Sequence, residues 1–175
     1  MRTTWFIPLI FIAAVGMACG GNPPQKLAGT SKVKIYDPTT KETTMVDKVA
    51  KSEEEWKKEL SAEEYRIARQ AGTERAFANA YWDNHEKGMY HCKCCGTALF
   101  ASDTKFDSGT GWPSFFSAVS KDNVTLISDR SLGMERIEVR CAKCDAHLGH
   151  LFDDGPQPTG QRYCMNSASM QFKQP

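Results

Sequence analysis

Met89 to Phe100 reads MYHCKCCGTALF. A strand-like run enters a cysteine turn and an apolar run leaves it, the pattern of two strands joined by a tight turn. Cys92 and Cys95 stand in C-x2-C spacing with Gly96 behind them. Cys141 and Cys144 repeat that spacing after a second strand-like run, MERIEVRC from Met134 to Cys141. Two thiolates on such a turn take adjacent corners of a tetrahedron around zinc, and two turns complete a four-sulfur shell. A single C-x2-C would equally suit a redox motif. The pair predicts one structural zinc ion per chain, held by Cys92, Cys95, Cys141 and Cys144. A closed sulfur shell supports the fold and does no chemistry. Two disulfides are the competing reading, which an exported protein permits.

The stretch before these turns has a helical pattern. KSEEEWKKELSAEEYRIARQAG, residues 51–72, carries Ser52 with Glu55 and Ser61 with Glu64, each a capping-box signature. Trp56 and Leu60 share one helix face. Gly72 ends the second helix, and Thr73 is a candidate start for a third. After Tyr90 no helical pattern exceeds a turn or two. VTLISD, residues 124–129, adds another strand-like run. The domain therefore reads as short helices followed by an antiparallel β core.

The first 18 residues, MRTTWFIPLIFIAAVGMA, hold one charge and an apolar stretch from Trp5 to Ala18. That stretch is too short for a membrane span of about 20 residues and fits the core of an export signal. Cys19 follows directly and is a candidate for lipidation, although Gly16 stands where lipoprotein sites usually place a branched aliphatic residue. Plain cleavage near Ala18 or an uncleaved anchor is the other reading. Residues 19–51 are sparse in apolar residues and rich in Pro, Gly, Thr and Lys. KVKIYDPTTKETTMV, residues 32–46, is compatible with a short hairpin around Pro38, but a lipidated or flexible tether is the more economical reading. The expected division is a signal over 1–18, a tether over 19–51 and a domain over 52–173. The expected location is the periplasm or cell envelope.

The chain has 175 residues, 22 Lys+Arg against 21 Asp+Glu, and a net charge of +1. This balance gives no argument for a nucleic-acid partner. Contact with a membrane is expected only through the N-terminal signal or lipid. Seven cysteines in 175 residues require an explanation by metal, disulfide or catalysis. With four in the paired turns and Cys19 at the signal, Cys94 and Cys164 remain.

Cys164 lies in RYCMNSASM, residues 162–170, behind a loop that holds two of the four histidines, His147 and His150. A lone histidine here would more often be structural. Two of them, followed by Asp154, Arg162 and Cys164, suggest a reactive site. A nucleophilic thiol needs a depressed pKa, which an arginine or a protonated histidine supplies. Histidine also delivers protons to leaving oxygens, and the Asn166 amide can fix an oxygen or a ring. In FDSGTGWPSF, residues 106–115, two glycines allow a tight turn that would present Trp112 as an aromatic wall for a small apolar group. A core role for Trp112 is the plainer alternative.

Taken together, CKCCGTALF, FDSGTGWPSFF and RIEVRCAKCDAHLGHLFDDGPQPTGQRYCMNSASMQF resemble the B-type methionine-R-sulfoxide reductases, from about Ser52 to Phe172. The resemblance implies a fold of mainly β structure, two antiparallel sheets with short N-terminal helices and the four-cysteine zinc site. It implies an oxidoreductase that repairs oxidised proteins bearing methionine-R-sulfoxide, and free methionine-R-sulfoxide where that is the substrate, using a thioredoxin-like or other thiol reductant. Cys164 matches the nucleophile and His150 the proton donor, with His147 and Asn166 assisting. Trp112 matches the receiver of the substrate methyl, and Arg162 and Asp154 match polar residues lining the site. Many members carry the second, resolving cysteine at the position of Thr110. Here the recycling thiol has to be Cys94 or an external one, and an external thiol is expected. A zinc-ribbon binding module would explain the cysteine turns but not Cys164, His150 or Trp112. A thiol peroxidase using Cys164 is the third reading.

Overall fold

The two serine caps form as their spacing predicts. The computed structural model describes residues 31–175. The expected signal over 1–18 and the candidate lipidation at Cys19 lie outside the described residues. Helix α1 (Glu53–Glu59) and helix α2 (Ala62–Gln70) each begin with a complete capping box, Ser52 with Glu55 and Ser61 with Glu64. Each cap contributes about 1 kcal/mol by satisfying amides that the first turn leaves free. Trp56 and Leu60 turn inward, with Trp56 only 1% exposed. Ala71 stops α2 in a left-handed conformation. No helix starts at Thr73. Glu74 is drawn inward, where its carboxylate accepts from the Ser167 and Ala168 amides. These long-range bonds hold the segment open against local helix propensity.

Among the described residues there are eleven short strands: β1 (Lys32–Asp37), β2 (Glu42–Asp47), β3 (Met89–Cys92), β4 (Ala98–Ala101), β5 (Lys105–Phe106), β6 (Ser114–Phe115), β7 (Val124–Asp129), β8 (Arg136–Cys141), β9 (His147–Phe152), β10 (Arg162–Met165) and β11 (Met170–Lys173). They form a six-stranded sheet in the order β5-β6-β10-β9-β8-β7, a three-stranded sheet β11-β3-β4, and the separate hairpin β1-β2. All pairings are antiparallel. The core lies between the two larger sheets. Phe100 of β4 stacks on Phe115 of β6 with ring centroids 4.5 Å apart. Tyr90, Leu99, Val139 and Leu148 are fully buried around them. Each such side chain contributes about 1.5–3 kcal/mol through the apolar surface it removes from water.

The hairpin corrects the expectation of a tether over residues 19–51, at least from Lys32 onward, and it makes a third sheet where two were expected. Asn123 fixes it in place. This fully buried side chain accepts from Tyr36 N at 2.8 Å and donates to Tyr36 O and Ala98 O, both at 2.8 Å. Farther on, Val49 N donates to Lys143 O at 2.8 Å, and the Lys48 ammonium meets the Asp145 carboxylate at 2.7 Å. Lys143 and Asp145 belong to the second cysteine turn. The segment thus folds against the domain because its backbone finds partners there, which low apolar content does not prevent.

Candidate active site

The two cysteine turns have one local geometry. In the first, Gly96 N donates to Cys92 O at 2.9 Å. In the second, Asp145 N donates to Cys141 O at 2.9 Å. The residue after each turn is left-handed, Gly96 at φ 75° and Asp145 at φ 57°. Glycine adopts that conformation freely, and aspartate tolerates it better than most residues. The four sulfurs converge. Cys92 Sγ lies 3.6 Å from Cys144 Sγ, and Cys95 Sγ lies 3.5 Å from Cys141 Sγ, with all four within 4.8 Å of one another. A disulfide needs about 2.05 Å. The edge of a tetrahedron with metal–sulfur bonds of about 2.3 Å is about 3.8 Å. The cluster therefore fits a single metal ion, with all its donors soft sulfurs.

The second site is a cavity of about 160 Å³ lined by Trp112, His150, Cys164 and Asn166, with Arg136 and Phe152. Cys164 sits at the centre of β10. Its direct cross-strand partners are His150 on β9 and Ser114 on β6. Residues directly opposite share one face of the sheet, with Cβ atoms about 5 Å apart. The backbone register itself thus sets thiol, imidazole and hydroxyl side by side. Trp112 is half-buried, and its ring nitrogen donates to Glu74 O at 3.1 Å. The indole lines a cavity, which decides against a purely core role.

Burial pushes the Cys164 thiol above the ordinary range. The Arg162 charge and the Thr110 and Ser114 hydroxyls pull it down, but by less. This corrects the expectation of a depressed thiol. The arginine is present, yet its charge is already shared. Arg162 makes a fork to Asp154, Nε to Oδ1 at 2.8 Å and Nη2 to Oδ2 at 2.7 Å. Its guanidinium also covers the Phe152 ring at 4.4 Å. Arg162 and Asp154 therefore back Phe152 outside the cavity lining, with Arg162 also reaching the Cys164 sulfur. Asn166 lines it, but its amide is committed to backbone: Oδ1 accepts from Glu74 N at 3.1 Å and Nδ2 donates to Leu148 O at 3.2 Å.

His147 is buried behind His150, the two rings meeting edge to face at 5.5 Å. Its Nδ1 is 2.6 Å from Glu138 Oε1, and His150 Nε2 is 2.9 Å from Asp129 Oδ2. Glu138, Asp129, Arg136 and Glu74 went unnoticed in the sequence reading. The alternation of Arg136, Glu138 and Arg140 in RIEVR was the available signal, because it puts three charges on one face of a strand. Cys94 lies half-buried against the core beside Cys92 and Cys144. Against Cys164 stand the Thr110 and Ser114 hydroxyls, the Arg162 guanidinium and His150, and none of these is a thiol.

A family model described as the SelR domain matches residues 60–174. The peptide methionine sulfoxide reductase MsrB of Synechococcus sp. (strain RCC307) is 58% identical over 130 residues, covering 74% of this chain and 96% of the relative. That of Methanosarcina barkeri (strain Fusaro / DSM 804) is 59% identical over 125 residues, covering 71% and 88%. That of Leptospira interrogans serogroup Icterohaemorrhagiae serovar Lai (strain 56601) is 58% identical over 125 residues, covering 71% and 95%.

Proposed function

The chain belongs to the SelR family of peptide methionine sulfoxide reductases, and on that premise we propose that it reduces the R epimer of methionine sulfoxide with Cys164 as nucleophile. The observation that supports this reading is the register of Cys164 beside His150, in one cavity with Trp112. The Cys164 sulfur attacks the sulfoxide sulfur. His150 protonates the oxygen, and Trp112 receives the substrate methyl. Oxygen passes to Cys164 as a sulfenic acid and methionine is released. The substrate sulfur gains two electrons and the cysteine sulfur loses them.

An external thiol then condenses with the sulfenic acid, expelling water, and a second thiol frees Cys164. The surroundings of Cys164 support this route over Cys94, because Thr110 and Ser114 present hydroxyls where a resolving thiol would have to stand. With the export signal expected over residues 1–18, outside the described residues, the donor is a thioredoxin-like protein of an oxidising compartment. His147 and Asn166 assist by holding the cavity wall, and the Arg162–Asp154 pair backs Phe152 beneath the substrate. Zinc is the ion that four cysteine sulfurs at this spacing suit, and when bound it holds the two turns together.

The test is turnover of the two separated epimers of a methionine sulfoxide peptide by wild type and by Cys164→Ser. Reduction of the R form alone, abolished in the variant, is expected. Comparable rates on both epimers, or an active Cys164→Ser variant, would overturn the reading.

A further inference from the structure

Strand β8 carries Arg136, Glu138 and Arg140 on one face. Each is engaged. Arg136 faces Asp129 across the β7–β8 pair, and its Nη2 donates to Asp129 Oδ2 at 2.7 Å. That same oxygen lies 2.9 Å from His150 Nε2. Arg140 Nη2 meets Glu138 Oε2 at 2.9 Å, and the other carboxylate oxygen lies 2.6 Å from His147 Nδ1. The β7–β8 hairpin thus supplies two parallel arginine–carboxylate pairs, each of which meets a histidine of β9. They end on two neighbouring rings of the cavity region.

The acids are ionised. Burial pushes the Glu138 carboxyl up, but Arg140 and His147 together hold it below the ordinary range. The Ser131 hydroxyl and amide, with His150, hold the Asp129 carboxyl well below it. An ionised carboxylate only accepts, so the ring nitrogen facing it carries the proton. His147 therefore bears hydrogen on Nδ1. Its Nε2 is buried and makes no hydrogen bond within the described residues. Burial keeps this ring neutral, outweighing the pull of Glu138. A neutral ring protonated at Nδ1 has a bare Nε2, which can accept a proton and cannot give one. His150 is arranged the other way. Its Nε2–H faces Asp129, so Nδ1 has a proton to give only in the doubly protonated ring, whose charge the ionised Asp129 balances.

We propose that the β7–β8 hairpin divides the labour between the histidines: Glu138 locks His147 as an acceptor at Nε2, and Asp129 orients doubly protonated His150, balancing its charge, to donate through Nδ1 to the sulfoxide oxygen. Glu138 and Asp129 are positioning residues for the reaction, each acting through its histidine. The division matches the proton count. The Cys164 thiol loses one proton, the sulfoxide oxygen gains one, and the net change is zero. His147 takes the thiol proton, His150 gives one to the oxygen, and passage of a proton from His147 to the neighbouring ring, 5.5 Å away, resets the pair. The inference rests on Cys164 as nucleophile.

The test is the imidazole ¹⁵N spectrum of the full chain, together with steady-state kinetics. In wild type, His147 should show a protonated Nδ1 and a bare Nε2. Glu138→Gln, whose amide can donate to Nδ1, should move the proton to Nε2. It should lower kcat at least about tenfold with KM within about twofold, the signature of a misplaced proton. Asp129→Asn, at the loop end of the hairpin, should lower kcat similarly without moving the His147 proton. A wild-type His147 protonated at Nε2 overturns the proposal even if Glu138→Gln fails to fold. So does a kcat within twofold of wild type in both variants. An active Cys164→Ser variant would remove the nucleophile and leave the tautomer assignment standing, so the two failures are separable.

Discussion

Cys164 and His150 are direct cross-strand partners on β10 and β9, so the proposed nucleophile and proton donor are held by a backbone ladder. Their roles should separate in kinetics. His150→Ala should lower kcat by about 10²–10⁴-fold, the usual worth of a positioned acid, with KM little changed. Trp112→Ala should instead raise KM for the peptide about tenfold or more, because it removes the wall that receives the methyl. Steady-state rates of both variants check this.

Gly149, between the partners, tolerates no side chain. A Cβ there would collide with the Cys164 carbonyl oxygen on the neighbouring strand. Gly149→Ala should force β9 and β10 apart, costing about 1–3 kcal/mol, as overpacking does elsewhere. Activity should fall further than stability does, because the register that aligns the thiol is what the methyl disturbs. Denaturant unfolding and single-turnover rates measured on the same sample test that ordering.

The raised Cys164 thiol has a visible consequence in pH. A free thiol titrates near about 8.5. With its folded value above that, Cys164 holds less thiolate at neutral pH than an ordinary cysteine, and its reactivity climbs later as pH rises. Iodoacetamide should therefore label Cys164 slowly at pH 7, with a midpoint above the ordinary thiol range. Arg162→Met, which removes an attractive charge, should move that midpoint higher still.

Regeneration should depend on Thr110. After one equivalent of substrate without reductant, mass spectrometry should find a trappable sulfenic acid on Cys164 and Cys94 still free. A Cys94–Cys164 disulfide would refute the external route. Thr110 lies within reach of Cys164, so Thr110→Cys should convert the trapped product to an intramolecular disulfide.

Elemental analysis should give about one zinc per chain. Cys144→Ser breaks one corner of the sulfur shell and should lose the metal and lower the melting temperature together, since a structural site contributes folding energy directly. Metal-free protein that melts and turns over like the wild type would exclude a structural ion.

The features readable in advance were those encoded over a few residues. The capping boxes at Ser52 and Ser61 are complete within four positions, and each cysteine turn closes within five. Cys164, His150 and Trp112 were legible as residue types in telling contexts; the sheet register sets Cys164 beside His150, and the turn before β6 brings Trp112 to the same cavity. What escaped depends on contacts far apart in the chain. Asn123 reads as a turn residue until Tyr36, 87 positions away, supplies the backbone it bonds. Glu138 reads as a solvated strand charge until β9 lays His147 against it. Thr73 reads as a helix start until the next residue, Glu74, accepts from Ser167, 93 positions away. The misjudged thiol has the same origin. The arginine beside Cys164 was visible in the sequence, whereas the burial that outweighs it was not.

The docked hairpin changes where this protein can be trimmed. The SelR match begins at residue 60, yet Trp56 is in the core and Asn123 closes its amide on Tyr36. A chain started at the family boundary would keep every group of the cavity and all four sulfurs. It would also strip a fully buried amide of two partners, at about 1–3 kcal/mol for each polar group left unpaired, and release the strap across Lys143 and Asp145. The packed unit therefore reaches at least some 28 residues ahead of the SelR match, to Lys32.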